Sequence, residues 1–425
     1  MNEYFAIGSS GLRGRAGGIL YAVLAVAWAL APLRAAQAAI FNVNSAADVV
    51  DATPGDGVCE TGAGNHVCTL RAAILEANEL TGMDTINLQA NTTYLLTRAG
   101  DGPPNGSLDL IDSVAIVGAG PASTIIDGNG AITNARVFEI HRCIRDQFSP
   151  EGCAVGFVEA GIAAVTIQHG LAAVCAGIYN YGRLTLTNSA IRDNIASLGG
   201  GFCNTREAKI VGSTFNNNVA DSSGGGIYNN TSSTLNILNS TISQNATSTD
   251  GGGIYNAGQL GLFNVTIADN IANADHTGGG LGGGVYNPFG ATLNMVNSIL
   301  TRNVTQTEGV FSIPSDCSGQ LNSQGFNIVS FTQNCTVLGS YSATQPLLGP
   351  LQDNGGPTMT HALLSGNTDP GNPVDGGNPS GCTDELGAPL TTDQRGQGRP
   401  AGIACDIGAY EVQPDSIFLD GFEVL

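Results

Sequence analysis

The segment CAGIYNYGRLTLTNSAIRDNIASLGGGFCN, residues 175–204, holds one full period of a repeat and the opening of the next. A Gly-apolar-x-Asn step ends at Asn180 and returns at Asn204, with an apolar-x-x-Asn step ending at Asn194 between them. From Cys175 to Gly309 the first step recurs on Ile178, Phe202, Ile227, Ile254 and Val285, at intervals of 24, 25, 27 and 31 residues, with Asn180, Asn204, Asn229, Asn256 and Asn287 two places on. The second recurs on Ile191, Phe215, Ile242, Ile267 and Leu300, followed by Asn194, Asn218, Asn245, Asn270 and Asn303. Between the steps, Leu184, Ala208, Leu235, Leu260 and Leu293, and two residues later Leu186, Ile210, Ile237, Leu262 and Met295, alternate with their neighbours at the period of a strand.

Each unit therefore offers three short strands, none able to bury its apolar face alone, joined by Gly- and Asn-rich bends that admit positive φ. Stacking the units places equivalent residues about 4.8 Å apart and merges the apolar columns into one interior. The asparagine columns can then bond amide to amide along the axis. This reading is a parallel β-helix. A helical or leucine-rich solenoid needs ten-residue runs of helix formers free of glycine, and no unit contains one. Earlier rungs are visible at Val165-Thr166-Ile167, at Thr124 to Gly128 and at Val114 to Gly118, so the coil is expected from about residue 85. The longest insertion, Ala272 to Gly283, falls in a single bend, the place where a solenoid displays binding loops.

Composition sets the surface. The 425 residues include 60 glycines, 35 acidic residues against 15 Lys and Arg, and a single lysine, Lys209, for a net charge of −20. An anionic surface excludes a nucleic-acid partner, which needs a basic face. Residues 1–38 read as a cleavable signal peptide, with Arg13 and Arg15, an apolar run from Gly18 to Leu33, and Ala36-Gln37-Ala38 before the cut. Loss of Glu3, Arg13, Arg15 and Arg34 with it takes the charge to −22. All ten cysteines, Cys59, Cys68, Cys143, Cys153, Cys175, Cys203, Cys317, Cys335, Cys382 and Cys405, follow the cut, and an even number suits an oxidising compartment. Neighbours taken in order would close loops of 9, 10, 28, 18 and 23 residues, one pairing scheme among many. No cysteine pair has zinc spacing and the five histidines are scattered, so no metal site is expected.

A solenoid must cap its terminal rungs. Residues 69–80 place Leu70, Ala73, Ile74 and Ala77 on one helical face that can cover the first rung. Here Cys68-Thr69-Leu70-Arg71-Ala72-Ala73-Ile74 resembles the CSLREA-type N-terminal motif of secreted bacterial β-helix proteins, with Ala72 where the motif has Glu. Leu351 to Thr358, Asp393-Gln394-Arg395-Gly396 with Arg399-Pro400, and Cys405 to Glu411 resemble the choice-of-anchor Q region. The middle rungs resemble the repeats of polymorphic outer-membrane proteins, although only Phe215 supplies their Phe. These resemblances imply a right-handed parallel β-helix of the pectin-lyase-like, all-β class, in an exported surface or envelope protein, and carry over no catalytic residue. The expected organisation is signal peptide 1–38, N-terminal cap 39–84, β-helix 85–345, choice-of-anchor Q-like region 346–412 and tail 413–425.

Many β-helices cleave acidic polysaccharides, which requires two carboxyls in adjacent rungs of one column or close along a strand. Asp193 and Asp269 share a column but are separated by Asn217 and Gln244, roughly 14 Å by the ladder spacing. The paired Asp-Asp of polygalacturonase-like enzymes is missing, and His169-Gly170, which imitates another of their motifs, falls at a bend. Glu207 is expected beside Arg183, and Asp269 beside Arg302, as cross-strand ion pairs, and Asp269 with Arg302 is the weak catalytic candidate. Asp393, Arg395, Arg399 and Asp406 are expected to brace the C-terminal cap. No Gly-x-Ser-x-Gly elbow is present. No cofactor is expected; calcium could be held by oxygens of the bends, and no pattern points to it. The expectation is a monomeric, non-enzymatic, exported β-helix protein that contacts a surface glycan or a host or envelope partner, the alternative being a lyase or glycoside hydrolase acting on acidic glycans.

Overall fold

The computed structural model describes residues 38–100, 102–141, 157–308, 311–367 and 371–414. The signal-peptide segment, Cys143, Cys153 and most of the C-terminal tail lie outside them. The chain winds into a parallel β-helix. Its rungs build an 18-stranded sheet that carries two strands of each rung, a nine-stranded sheet and a seven-stranded sheet.

The registers follow the repeat. Ile178, Phe202, Ile227, Ile254 and Val285 pair in turn across parallel strands. Leu184, Ala208, Leu235, Leu260 and Leu293 do the same on the strands next along the chain. Ile167, Ile191, Phe215, Ile242, Ile267 and Leu300 form the third column. Every member is inaccessible or nearly so, and the three columns meet in one continuous core. Burial of each aliphatic side chain is worth about 1.5–3 kcal/mol before chain entropy is subtracted.

The repeat unit carries a fourth strand, after Asn194, that the apolar pattern does not reveal: Ile195–Leu198, then Val219–Ser223 and Ala246–Thr247 in the next two rungs. Its inward column is Ala196, Ala220, Thr247 and Ala272, all buried, whereas Ile195 and Val219 face outward. Small inward residues and aliphatic outward ones invert the usual signature, so hydropathy alone reads this strand as a bend.

Both asparagine columns are hydrogen-bonded ladders. In the first, Asn180 Nδ2 donates to Asn204 Oδ1 at 2.9 Å, and the pattern continues through Asn229 and Asn256 to Asn287. In the second, Asn194, Asn218, Asn245, Asn270 and Asn303 are linked at 2.9–3.0 Å. Asp316 closes that ladder, accepting from both the backbone N and Nδ2 of Asn303. The residues preceding these asparagines, Asp193, Asn217, Gln244, Asp269 and Arg302, all have φ between 56 and 60°, as does His169 before Gly170 one rung earlier. The five beside the ladder carry left-handed strain, which the buried amides next to them offset.

At the N-terminus, Thr69 caps the helix Leu70–Glu79 by accepting from Ala72 N. Leu70, Ala73, Ile74 and Ala77 are its buried apolar face, and it packs on the strands Asp84–Asn87 and Leu108–Leu110. The strand Ile40–Asn42 pairs with residues 85–87, so the coil begins one strand earlier than residue 85.

The C-terminal region departs most from expectation. Rather than bracing an end rung, the described residues 346–367 and 371–412 lie along the outer face of the nine-stranded sheet. Gln394 reaches Thr214 and Thr241, Arg399 Nη1 donates to Asn239 Oδ1, Asn297 Nδ2 donates to Asp406 O, and Ala409 N donates to Thr266 Oγ1. A second small core of Ala268, Ile299, Ile328, Leu348, Leu363 and Ile407 fills the contact. The charge cluster is internal to this block: Arg399 Nε meets Glu411 Oε2 at 2.8 Å with both side chains buried, and Arg395 pairs with Asp393 at 2.8 Å. Burial, then the charge of Glu411, pushes the Asp406 carboxyl up to about 7.

Disulfides join Cys59 to Cys68, Cys175 to Cys203, Cys317 to Cys335 and Cys382 to Cys405. Four such bridges are compatible with an extracellular protein. Among the described residues, no helix is long and apolar enough to cross a membrane.

Two outcomes follow from the ladders. Asn245→Ala orphans buried groups on Asn218, Asn270 and Phe215 and is expected to lower stability by about 3 kcal/mol in denaturant unfolding. Burial raises the Asp316 carboxyl to about 6, against hydrogen bonds that lower it. The folded state therefore holds that proton more tightly than the unfolded one, and this group's contribution to stability falls as pH rises from about 4 to about 6. The wild-type-minus-Asp316→Asn difference in unfolding free energy should show that slope.

Candidate functional site

The weak catalytic candidates of the repeat come together as a partly exposed ion pair that is tied to the C-terminal block. Arg302 Nη2 donates to Asp269 Oδ2 at 2.6 Å, and Arg302 Nη1 donates to Leu348 O at 2.9 Å. His361, from the strand Thr360–Leu363, lies 3.3 Å from Arg302 Nη2, and its other ring nitrogen lies 2.9 Å from Ser243 Oγ. Burial holds the His361 pKa below its ordinary value. Ser243 and His361 are 0% and 1% exposed, so no substrate reaches them, and the group pins the C-terminal hairpin to the sheet. Arg183 bridges Glu159 and Glu207, each at 3.2 Å, with all three side chains about half exposed. Such surface pairs contribute little. His169 stands at its bend with Nδ1 2.8 Å from Asp127 Oδ2.

With the nine-stranded sheet covered, the outer face of the 18-stranded sheet comes into view. One outward column there runs in register Asp109, Glu139, Tyr179, Cys203, Tyr228, Tyr255, Tyr286. Each residue lies between two inward ones, as in Leu108-Asp109-Leu110 and Phe138-Glu139-Ile140, so the strand alternation alone points it outward.

The aromatic part is a stack. The rings of Tyr228 and Tyr255 lie 5.0 Å apart and 10° from parallel, and those of Tyr255 and Tyr286 lie 5.2 Å apart. All three tyrosines are half-buried. Burial pushes each of their hydroxyls above the ordinary pKa, so they remain neutral O–H groups. None of the three hydroxyls bonds to protein among the described residues. Cys203, held to Cys175, interrupts the stack before Tyr179.

At its acidic end the column enters a cleft of about 640 Å³, whose lining includes Gly100, Gly102, Ser107, Ala172 to Val174, Tyr179 and Tyr181. Asp109, Glu139 and His141 each bring one donor atom to within 4.8 Å of the other two. Ser107 Oγ donates to Asp109 Oδ1 at 2.7 Å, and Arg136 Nη1 meets Glu139 Oε2 at 2.5 Å. The Arg136 guanidinium also lies 4.8 Å from the Tyr179 ring centroid. Burial works against the charged form of His141, yet the carboxylates of Asp109 and Glu139 hold its pKa above the ordinary value. Burial also pushes the Tyr181 hydroxyl up.

The repeat did not lead to this site. Asp109 and Glu139 are carboxylates in adjacent rungs, 30 residues apart and so within the 24–31 of the regular rungs, but the 40 residues from Glu139 to Tyr179 break the period and cut them off from the repeat. The apolar-acid-apolar triplets at 108–110 and 138–140 are the signal that could have found them.

No protein-family model and no curated protein matches the chain, so the CSLREA and choice-of-anchor Q resemblances stand on their motifs. Among solved structures, one titled "Crystal structure of pectate lyase Pel9A" matches with a TM-score of 0.42 and 14% identity, over 88% of this chain and 96% of that one.

Arg302→Met removes the clamp on the hairpin. It is expected to cost about 2–3 kcal/mol in thermal or denaturant unfolding and to open residues 346–366 to limited proteolysis.

Proposed function

We propose that this chain is an exported β-helix protein that binds glycan along the tyrosine column. The observation that carries the reading is the run of Tyr228, Tyr255 and Tyr286, whose hydroxyls have no protein partner among the described residues and which leads toward the cleft at Asp109 and Glu139. Sugar hydroxyls repeat along a chain, and a row of phenolic O–H groups spaced by the rungs offers matching donors and acceptors, with ring edges for the apolar faces of the sugar. The net charge of −20 and the carboxylates of the cleft favour a neutral glycan over a polyuronate. Secretion, expected from the N-terminal segment, agrees with the disulfides.

A second reading, glycoside hydrolysis, has one observation in its favour: Asp109 and Glu139 lie in adjacent rungs with carboxylate oxygens within 4.8 Å. That is near the separation of retaining enzymes, about 5–5.5 Å. The alternative drawn from sequence, cleavage of acidic glycans, has Arg136 in the cleft, and that guanidinium is engaged by Glu139.

A glycan array followed by calorimetry on the mature protein tests the binding reading. Tyr255→Phe should weaken binding about fivefold, the loss of one hydrogen bond, and Tyr255→Ala by more. Unchanged affinity in both variants would overturn the reading. Release of reducing ends by the wild type, lost in Glu139→Gln, would install hydrolysis in its place.

A further inference from the structure

We propose that Asp109, Glu139 and His141 form a binding site for a divalent transition-metal ion of the zinc class. The inference is independent of glycan binding. Strand pairing sets Asp109 and Glu139 side by side, and His141 follows Glu139 by two residues, just beyond the end of the strand Phe138–Ile140.

The distances are those of groups that share an ion rather than a proton. His141 Nε2 lies 3.6 Å from Asp109 Oδ1 and 3.9 Å from Glu139 Oε1. Both exceed hydrogen-bond reach. Two donors held about 2.1 Å from one ion stand roughly 3–3.5 Å apart, so small rotations of the imidazole and carboxylates bring all three into range.

Two atoms are left unpartnered. Asp109 is 3% exposed, and among the described residues its Oδ2 has no hydrogen-bond partner; His141 Nε2 is buried and has none among them either. An unpaired acceptor on a buried carboxylate is destabilising, and a bound cation would remove that cost. The remaining oxygens already have partners: Ser107 on Asp109 Oδ1 and Arg136 on Glu139 Oε2. These outer contacts orient the carboxylates and leave Glu139 Oε1 facing the imidazole, as the supporting groups of a metal centre do.

The donor set selects the ion. One imidazole nitrogen with two carboxylates suits zinc and its first-row neighbours, whereas calcium takes six to eight oxygens. Three protein donors leave a coordination position open toward the 640 Å³ cleft.

Tag-free, chelator-stripped mature protein titrated calorimetrically with Zn²⁺ should bind a single equivalent, and excess Ca²⁺ should not displace it. His141→Ala should weaken binding by about 100-fold or more, and Ser107→Ala, which keeps every ligand, by about 10–100-fold. Asp109→Asn keeps the shape of the side chain, and its unfolding midpoint reports whether the fold is intact. Co²⁺ on the wild type should give visible absorption of nitrogen and oxygen coordination that Zn²⁺ abolishes, a readout independent of any variant. Absence of stoichiometric Zn²⁺ binding and of the Co²⁺ spectrum, wild-type affinity in folded His141→Ala, or displacement by Ca²⁺ would each overturn the assignment.

Discussion

A buried asparagine amide must find both a donor and an acceptor, and in this chain the next rung supplies them. Asn218 illustrates the arrangement: its Nδ2 donates to Asn245 Oδ1 and Ile191 O, while its Oδ1 accepts from Asn194. A rung shifted by one residue would point the amide outward and leave its neighbours' polar groups buried without partners. Register along the axis therefore rests on the asparagines, and the apolar columns fill the space that this register defines. The left-handed bends at Asp193, Asn217, Gln244, Asp269 and Arg302 persist because the ladder beside them over-determines the turn.

Winding a short repeat gives each outer face its own set of side chains, and the faces have separate fates. The nine-stranded sheet is covered by the C-terminal block, residues 346–367 and 371–412, which explains why its outward Thr214, Thr241 and Thr266 are buried and bonded to that block. Asp269 and Arg302 sit at the edge of the same contact and are committed to it. The outer face of the 18-stranded sheet keeps its tyrosine column, and the acidic cleft stands in the same register. Glu385 of that block reaches Lys209 on this sheet, but among the described residues no hydrogen bond from the block meets the tyrosine column, where the unpartnered hydroxyls and donor atoms lie.

Much of the fold was legible because the inward residues are large and regularly spaced. Ile178, Leu184 and Ile191 with their equivalents announce three strands of each rung, and their partners in the structure are those the period assigns. The fourth strand was hidden by Ala196, Ala220 and Ala272, whose small side chains fill a narrow corner without leaving a hydropathy signal. The ion pairs of Arg183 and Arg302 were legible for the same reason as the core, since one rung offset places the partners side by side. The position of the C-terminal block was not. Its motifs showed a dense charge cluster, and nothing in their spacing indicated which sheet face Gln394 and Arg399 would meet.

The amino-acid order by itself determined the stacking: a period near two dozen residues, with asparagine at fixed places, admits one economical way to satisfy buried amides and bury aliphatic side chains together. Tertiary structure alone decided which outer face stays open and which distant side chains converge. Asp109, Glu139 and His141 lie before the marked repeat, beyond a 40-residue step from Glu139 to Tyr179, so counting back from the regular rungs no longer gives position in space. Only the pairing of Leu108–Leu110 with Phe138–Ile140, and the place of His141 just past it, set the 3.6 Å between His141 and Asp109.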